Sequence, residues 1–200
     1  MNLFVTDSNP FTCSKEHCDV HLRKMIVETA QLLSTAHTEL DGVQVAYKPT
    51  HKNHPCTVWV RADYKNYNWT RELFYFLLKE YEFRFNKQHK SGEHLHNLMI
   101  VPLNIAGSRT NSYGKPDPEG FVTAMPDNYL ENSVETSYQD YLNDKFKEWR
   151  SRARPMKVEW TNRPRPSWGF YIKTCRDLDN SMASRVLSLH TEAKRIFYEK

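Results

Sequence analysis

Glycine is scarce in this chain, with six residues in 200. That scarcity argues against a glycine-rich phosphate loop and against a turn-dense all-β fold. Cysteine is scarce too: Cys13, Cys18, Cys56 and Cys175 are too few for a disulfide scaffold at this length. Free thiols suit a reducing setting, so a cytoplasmic location is expected. No apolar run approaches the roughly 18 residues of a membrane span, so no membrane partner is expected. Met1 to Pro10 has neither a basic n-region nor a long apolar stretch, and no signal peptide is expected there. A Walker-type loop, a dinucleotide fingerprint, a serine elbow and a His-Glu-x-x-His pair are all missing. No cofactor is expected.

What is present is a lean, aromatic-rich composition. Apolar residues make up 39%, a figure that includes 11 tyrosines, and aromatics make up 13%. Two hundred residues fit one domain, 1–200, able to bury roughly 70% of its unfolded surface. The net charge is +4. The window Lys145 to Arg165 holds eight basic residues and two acids, so the rest of the chain is slightly acidic. Trp149 and Trp160 lie inside that window and Trp168 follows it, and basic residues mixed with aromatics suit a phosphate backbone and stacked bases. The same pattern also fits a solvated surface segment with core tryptophans.

The hydrophobic spacing is helical. Residues 15–40 read as one long helix capped by Ser14, with Leu22, Met25, Ile26, Leu32, Leu33, Ala36 and Leu40 on its buried stripe. Val43 to Tyr47 reads as a brief extended piece. A short helix is expected near 56–63. A second long one is expected over 66–88, burying Trp69, Leu73, Phe76, Leu77 and Phe83 or Phe85. His89 to Leu95 reads as a turn, and 97–105 as an apolar stretch, extended or helical. Residues 106–128 carry three glycines and three prolines and form a long loop. Asn132 and Glu135 suggest a capping box for a third helix bearing Tyr138, Leu142, Phe146 and Trp149. Pro155, Pro164 and Pro166 exclude regular helix over 154–168. A last helix is expected over 180–198. The fold class is all-α: a compact helical single domain with a short N-terminal arm and long loops.

Two polar clusters carry candidate chemistry. His21, Lys24, Glu28, Gln31 and Thr35 step by three and four and line one helix face. His21 and Glu28 lie about 10.5 Å apart along the axis, too far to touch but able to bracket a ligand; an ordinary solvated helix face is the alternative. The run Thr50-His51-Lys52-Asn53-His54-Pro55 concentrates donors fit to grip a phosphate or sugar; a locally closed turn is the alternative. Cys13, His17, Cys18 and His21 are zinc-type ligands, but their spacing is no recognised finger and no metal site is expected.

With those residues in view, the sequence resembles the pyrimidine-dimer DNA glycosylase/AP-lyase family of the phage endonuclease V type. The likeness rests on Cys18-Asp19-Val20-His21-Leu22 followed by Glu28, and on His54-Pro55-x-x-Val58-Trp59 before the helix through Glu72, Leu77, Glu80 and Arg84. It is completed by Trp160-Thr161-Asn162-Arg163-Pro164-x-Pro166-x-Trp168. These matches keep their order over residues 1–170, which would form the glycosylase-like core, with 171–200 as a C-terminal helical extension.

The resemblance implies a backbone α-amine as nucleophile, belonging to Met1 or Asn2, with Glu28 as the proton-transferring carboxylate and His21 in support. It implies substrate or DNA contacts from Lys24, Gln31, His51, Lys52, Asn53, His54, Arg163 and Trp168, and DNA as partner. Three positions depart from the family. Met1 precedes the bulky Asn2 where the family exposes a threonine, so Met1 is expected to stay. Val27 and Gln31 replace arginines that brace the lesion. Two alternatives follow: the same fold acting on a free nucleotide or modified nucleoside, and a non-enzymatic nucleic-acid-binding protein carried by the basic segment.

Overall fold

The computed structural model describes residues 1–107, 120–131 and 133–169. The helix expected over 180–198, the extension 171–200 and positions 108–119 of the long loop lie outside the described residues. The fold is all-α, as expected, a compact helical domain with a short N-terminal arm and long loops. Among the described residues no helix is long and apolar enough to cross a membrane.

Helix α1 spans Pro10–Glu16, capped by Asn9, whose side chain accepts from the N–H groups of Phe11 and Thr12. The expected single helix over 15–40 is in fact broken after Glu16. His17 Nδ1 hydrogen-bonds the Cys13 carbonyl at 2.7 Å, meeting a helix-end acceptor with an imidazole, and His17 and Cys18 turn extended. Helix α2 then runs Asp19–Asp41 and ends at Gly42, whose φ of 70° places it in the left-handed region that favours glycine.

Helix α3 is Pro55–Ala62, capped by His54, and α4 is Tyr64–Phe85, capped by Asp63. A 3₁₀ turn at Lys90–His94 leads into the short α5, Leu95–Met99. Val43 to Tyr47 forms no strand. Helix α6 is Val134–Ser151, and its cap is Ser133 rather than Asn132, since the Ser133 hydroxyl accepts from Thr136 N–H at 3.1 Å. Residues 154–169 form no regular helix, as their prolines require.

α2 is the central element and packs against α3 and α4. Its expected stripe is buried except for Leu40, which is half-exposed. The arm is the other organising piece. Leu3, Phe4 and Val5 are 2%, 5% and 1% exposed, so an extended segment is threaded into the core. Phe4 meets His21 of α2 and Tyr138 of α6 at ring distances of 4.8 and 5.9 Å. Side chains satisfy the arm's carbonyls: Cys13 Sγ donates to Phe4 O, and Gln139 Nε2 to Thr6 O at 2.9 Å.

The last turns of α4 depart from the expected stripe. Phe74 is buried where Phe76 was expected, Phe83 is 52% exposed, and the inward positions hold Glu80 and Arg84. The fully buried Arg84 guanidinium donates to Glu80 Oε1 (2.8 Å), Asp19 Oδ1 (3.0 Å), His17 O (2.8 Å) and Lys15 O (2.7 Å). Asp19 in turn accepts from the N–H and hydroxyl of Thr161, and Glu80 takes a two-pronged contact from Arg163 at 2.9 Å. Burial opposes ionisation of Glu80, but the hydrogen bonds and charges of Arg163 and Arg84 outweigh it and hold the carboxyl below its usual range. Replacing Arg84 by leucine leaves the buried Asp19 without its cation and Glu80 with Arg163 alone, and urea unfolding is expected to show a loss of about 3–5 kcal/mol. A loss below about 1 kcal/mol would mean that the network is marginal to stability.

Candidate active site

The site assembles where the arm emerges beside the middle of α2. The Asn2 backbone N–H donates to Glu28 Oε2 at 2.8 Å. Lys24, one turn back, places Nζ 3.4 Å from Glu28 Oε1. The Glu28 side chain is only 12% exposed and the Lys24 side chain 63%, so the carboxylate sits in a recess with the ammonium at its rim.

The Asn2 side chain spends its capacity on the protein. Its Nδ2 donates to Ala124 O at 2.8 Å, and its Oδ1 accepts from Tyr138 Oη at 3.0 Å and from the Cys56 thiol. Burial pushes the Cys56 thiol up to about 11, although the Leu3 backbone and the Met1 ammonium favour its thiolate. It therefore stays protonated at neutral pH, a hydrogen-bond donor rather than a nucleophile.

The 50–54 loop is tied to the same face of α2. Thr35 Oγ1 donates to Gln31 O at 2.7 Å and accepts from Thr50 N–H at 3.2 Å. Thr50 Oγ1 meets His51 Nδ1 at 2.6 Å, and His51 adopts φ 48°. Lys52 pairs with Glu39 at 2.7 Å, its carbonyl receives Arg61, and Asn53 is exposed. His54 closes the loop, with Nδ1 accepting from Cys56 N–H at 3.2 Å. Burial and then the Met1 ammonium hold the His54 imidazole below its ordinary pKa, with His51 adding to them and Glu28 opposing. Met1, Glu28, Lys24, His54 and Cys56 thus share one electrostatic neighbourhood.

Other expected contributors lie elsewhere. His21 is 2% exposed, two turns down α2, boxed by Phe4, Trp149 and Phe146 at ring distances of 4.8, 4.9 and 5.5 Å. Its Nδ1 has no hydrogen-bond partner among the described residues. It is a core residue, because the arm and α6 cover that part of the helix face. Arg163 is bound to Glu80 and lies over the Phe83 ring, in the network that Asp19 joins at the start of α2. Its guanidinium serves the fold. Trp168 packs against the core, with its carbonyl held by Asn143. In the basic segment, Lys147, Arg152 and Lys157 also have acidic partners in Asp144, Glu148 and Glu159.

Sequence reasoning missed Cys56, Tyr138 and the Ala124 carbonyl. Tyr138 was visible only as a member of a buried stripe, and the other two carried no signal. Among the described residues no three His, Cys, Asp or Glu side chains stand where they could share a metal ion. A cavity of about 430 Å³ on the outer side of α4, lined by Tyr75, Lys79 and His89 among others, includes none of the site residues.

Burial gives the two core imidazoles a measurable pH signature. It lowers His17 to about 4, with Arg84 adding to the effect and the Cys13 carbonyl opposing it. Burial, then His17, Lys145 and Lys24, lower His21 well below its ordinary value. The unfolded chain therefore takes up protons near pH 6.5 that the folded chain refuses. Stability is full above about pH 6.5 and falls as the pH drops, with His17 alone worth on the order of 3 kcal/mol by pH 4. His21→Phe keeps the ring contacts and should flatten the fall in urea midpoints between pH 7 and 5; a flat wild-type profile would contradict this account. The chain matches no protein-family model, no curated protein and no solved structure.

Proposed function

We propose that this protein is a DNA N-glycosylase with AP-lyase activity, acting on a damaged or modified pyrimidine through its N-terminal amine and Glu28. The observation that carries the reading is the 2.8 Å contact between the Asn2 backbone nitrogen and Glu28 Oε2. It links the first residues of the chain to a recessed carboxylate, the pairing that the resemblance to the endonuclease V type implies. If Met1 is retained, its ammonium and Glu28 both act on the His54 imidazole. If Met1 is removed, the nitrogen already on Glu28 becomes the free amine.

The reaction needs a neutral amine and a carboxylate beside it. The amine nitrogen forms a bond to the sugar C1′ as the C1′–N1 bond breaks, and the electron pair leaves with the pyrimidine, which takes up a proton. The nitrogen, having given up one proton and kept the other, pushes its lone pair onto C1′ as the C1′–O4′ bond breaks and O4′ takes up a proton, which leaves a protonated imine. Glu28 stabilises that cation and takes a proton from C2′, and the electron pair released expels the 3′-phosphate by β-elimination. Lys24 stands at the rim of the recess, placed to meet a phosphate.

The commitment of Arg163 to Glu80 removes one expected duplex contact and favours a second reading, in which the same site acts on a free nucleotide or modified nucleoside. Competition by nucleotides rather than by duplex DNA would identify it.

The test is end-labelled DNA, irradiated with ultraviolet light and unirradiated, incubated with the protein and borohydride. A covalent adduct is expected, and mass spectrometry will assign it to Met1 or Asn2. Glu28→Gln should lower turnover by about 10²- to 10⁴-fold while preserving the fold. Full turnover by Glu28→Gln, or an adduct on a lysine instead of the N-terminus, would overturn the proposal.

A further inference from the structure

His54 stands at the junction of two constraints. It is the N-cap of α3, and the group it caps is the backbone N–H of Cys56, at 3.2 Å from Nδ1. A backbone N–H only donates, so Nδ1 must present its lone pair. That choice fixes the tautomer: a neutral ring with a free Nδ1 carries its proton on Nε2. Among the described residues no hydrogen bond reaches Nε2, and the ring shares the neighbourhood of the Met1 ammonium, His51 and Glu28. Becoming an imidazolium would put a proton on Nδ1 against the Cys56 N–H and add a second cation beside Met1. Both effects work against it, in the same direction as burial.

We propose that His54 is the neutral hydrogen-bond donor of this site, with Nδ1 spent as the cap of α3 and Nε2–H offered to an oxygen of the bound nucleoside. The inference rests on the reading of the site given under Proposed function. It excludes His54 as a general base at Nε2, because that nitrogen already holds its proton. It assigns proton removal to Glu28 instead. The oxygen that gains most from such a donor is a pyrimidine ring carbonyl. As the C1′–N1 bond breaks, the departing electron pair spreads from N1 onto that oxygen, and a positioned N–H donor stabilises the charge as it develops. The substrate class that follows is a nucleoside whose leaving base carries a carbonyl next to the glycosidic nitrogen, as every pyrimidine does.

Two measurements test this. Long-range nitrogen–proton correlation spectra of the ¹⁵N-histidine-labelled full chain should show His54 protonated at Nε2 and bare at Nδ1 at neutral pH. His89 is an internal reference, since its Nδ1 likewise accepts a backbone N–H, from Ser91 at 3.2 Å. A His54 ring protonated at Nδ1, or on both nitrogens, at neutral pH would overturn the proposal without touching the glycosylase reading.

The second measurement separates cap from donor by substitution, with irradiated and unirradiated DNA as probes. His54→Asn places an acceptor where Nδ1 was and nothing where Nε2–H was. It should melt like the wild type and turn over about 10²-fold more slowly. His54→Gln places an N–H near Nε2 and loses the cap. It should melt lower and recover part of the turnover. Wild-type turnover by His54→Asn would reduce His54 to a helix cap and overturn the donor role. A wild-type protein that cleaves and traps neither DNA overturns the glycosylase reading, and the tautomer spectrum then decides the state of His54 alone.

Discussion

Arg84 reaches into the gap where α1 stops and α2 begins, and nearly everything else is placed relative to it. Its donors bind the Lys15 and His17 carbonyls that the broken helix leaves open, and Asp19 and Glu80 supply the balancing charge. A fully buried guanidinium is tolerable only with this degree of satisfaction. The carboxylates then extend its reach. Asp19 holds Thr161 and Glu80 holds Arg163, so the segment after α6 is tied back to α4 and to the start of α2. Trp160 adds its indole N–H to the Glu16 carbonyl at 2.8 Å, closing the same junction from the other side.

That anchoring sets the direction of α2 and therefore the place of Glu28, two and a half turns further on. The arm answers it from the opposite side. Ordinarily the first residues of a chain are its least ordered part. Here Leu3, Phe4 and Val5 are fully packed, and Asn2 is held by Glu28, Ala124, Tyr138 and Cys56. For the proposed amine chemistry this matters, because a reacting group on a free tail would lose most of the advantage of proximity and one held by several hydrogen bonds keeps it. The same packing is what removes His21 from chemistry. The Phe4 ring that seats the arm also closes over that imidazole.

The basic segment has a double character. Its exposed pairs, such as Arg152 with Glu148, are weakly held. Arg163 differs, because its partner Glu80 is buried and already shared with Arg84. A cluster of positive charge in a sequence thus divides, in the folded chain, into exposed, loosely paired charge and charge spent on the core.

Much of the fold was legible in the sequence because its signals are local. Apolar spacing located α2, α4 and α6, prolines marked breaks, and the row from Lys24 through Glu28 to Gln31 singled out the candidate face. Each of these is settled within a turn or two of helix. The break at His17 was missed because it depends on an imidazole reaching a carbonyl rather than on any breaker residue. The inward turn of Glu80 and Arg84 was missed because charged residues are buried only when partners from elsewhere meet them, and those partners sit some 65 to 83 residues away. By itself the sequence determined the apolar helices and singled out the candidate carboxylate, while the caps it suggested at Ser14 and Asn132 fall at Asn9 and Ser133 in the folded chain. Only the tertiary structure decided that Asn2 lies on Glu28 across 26 positions and that Tyr138 holds Asn2 across 136, since such contacts follow from how the arm packs between α2 and α6 and not from any rule of spacing.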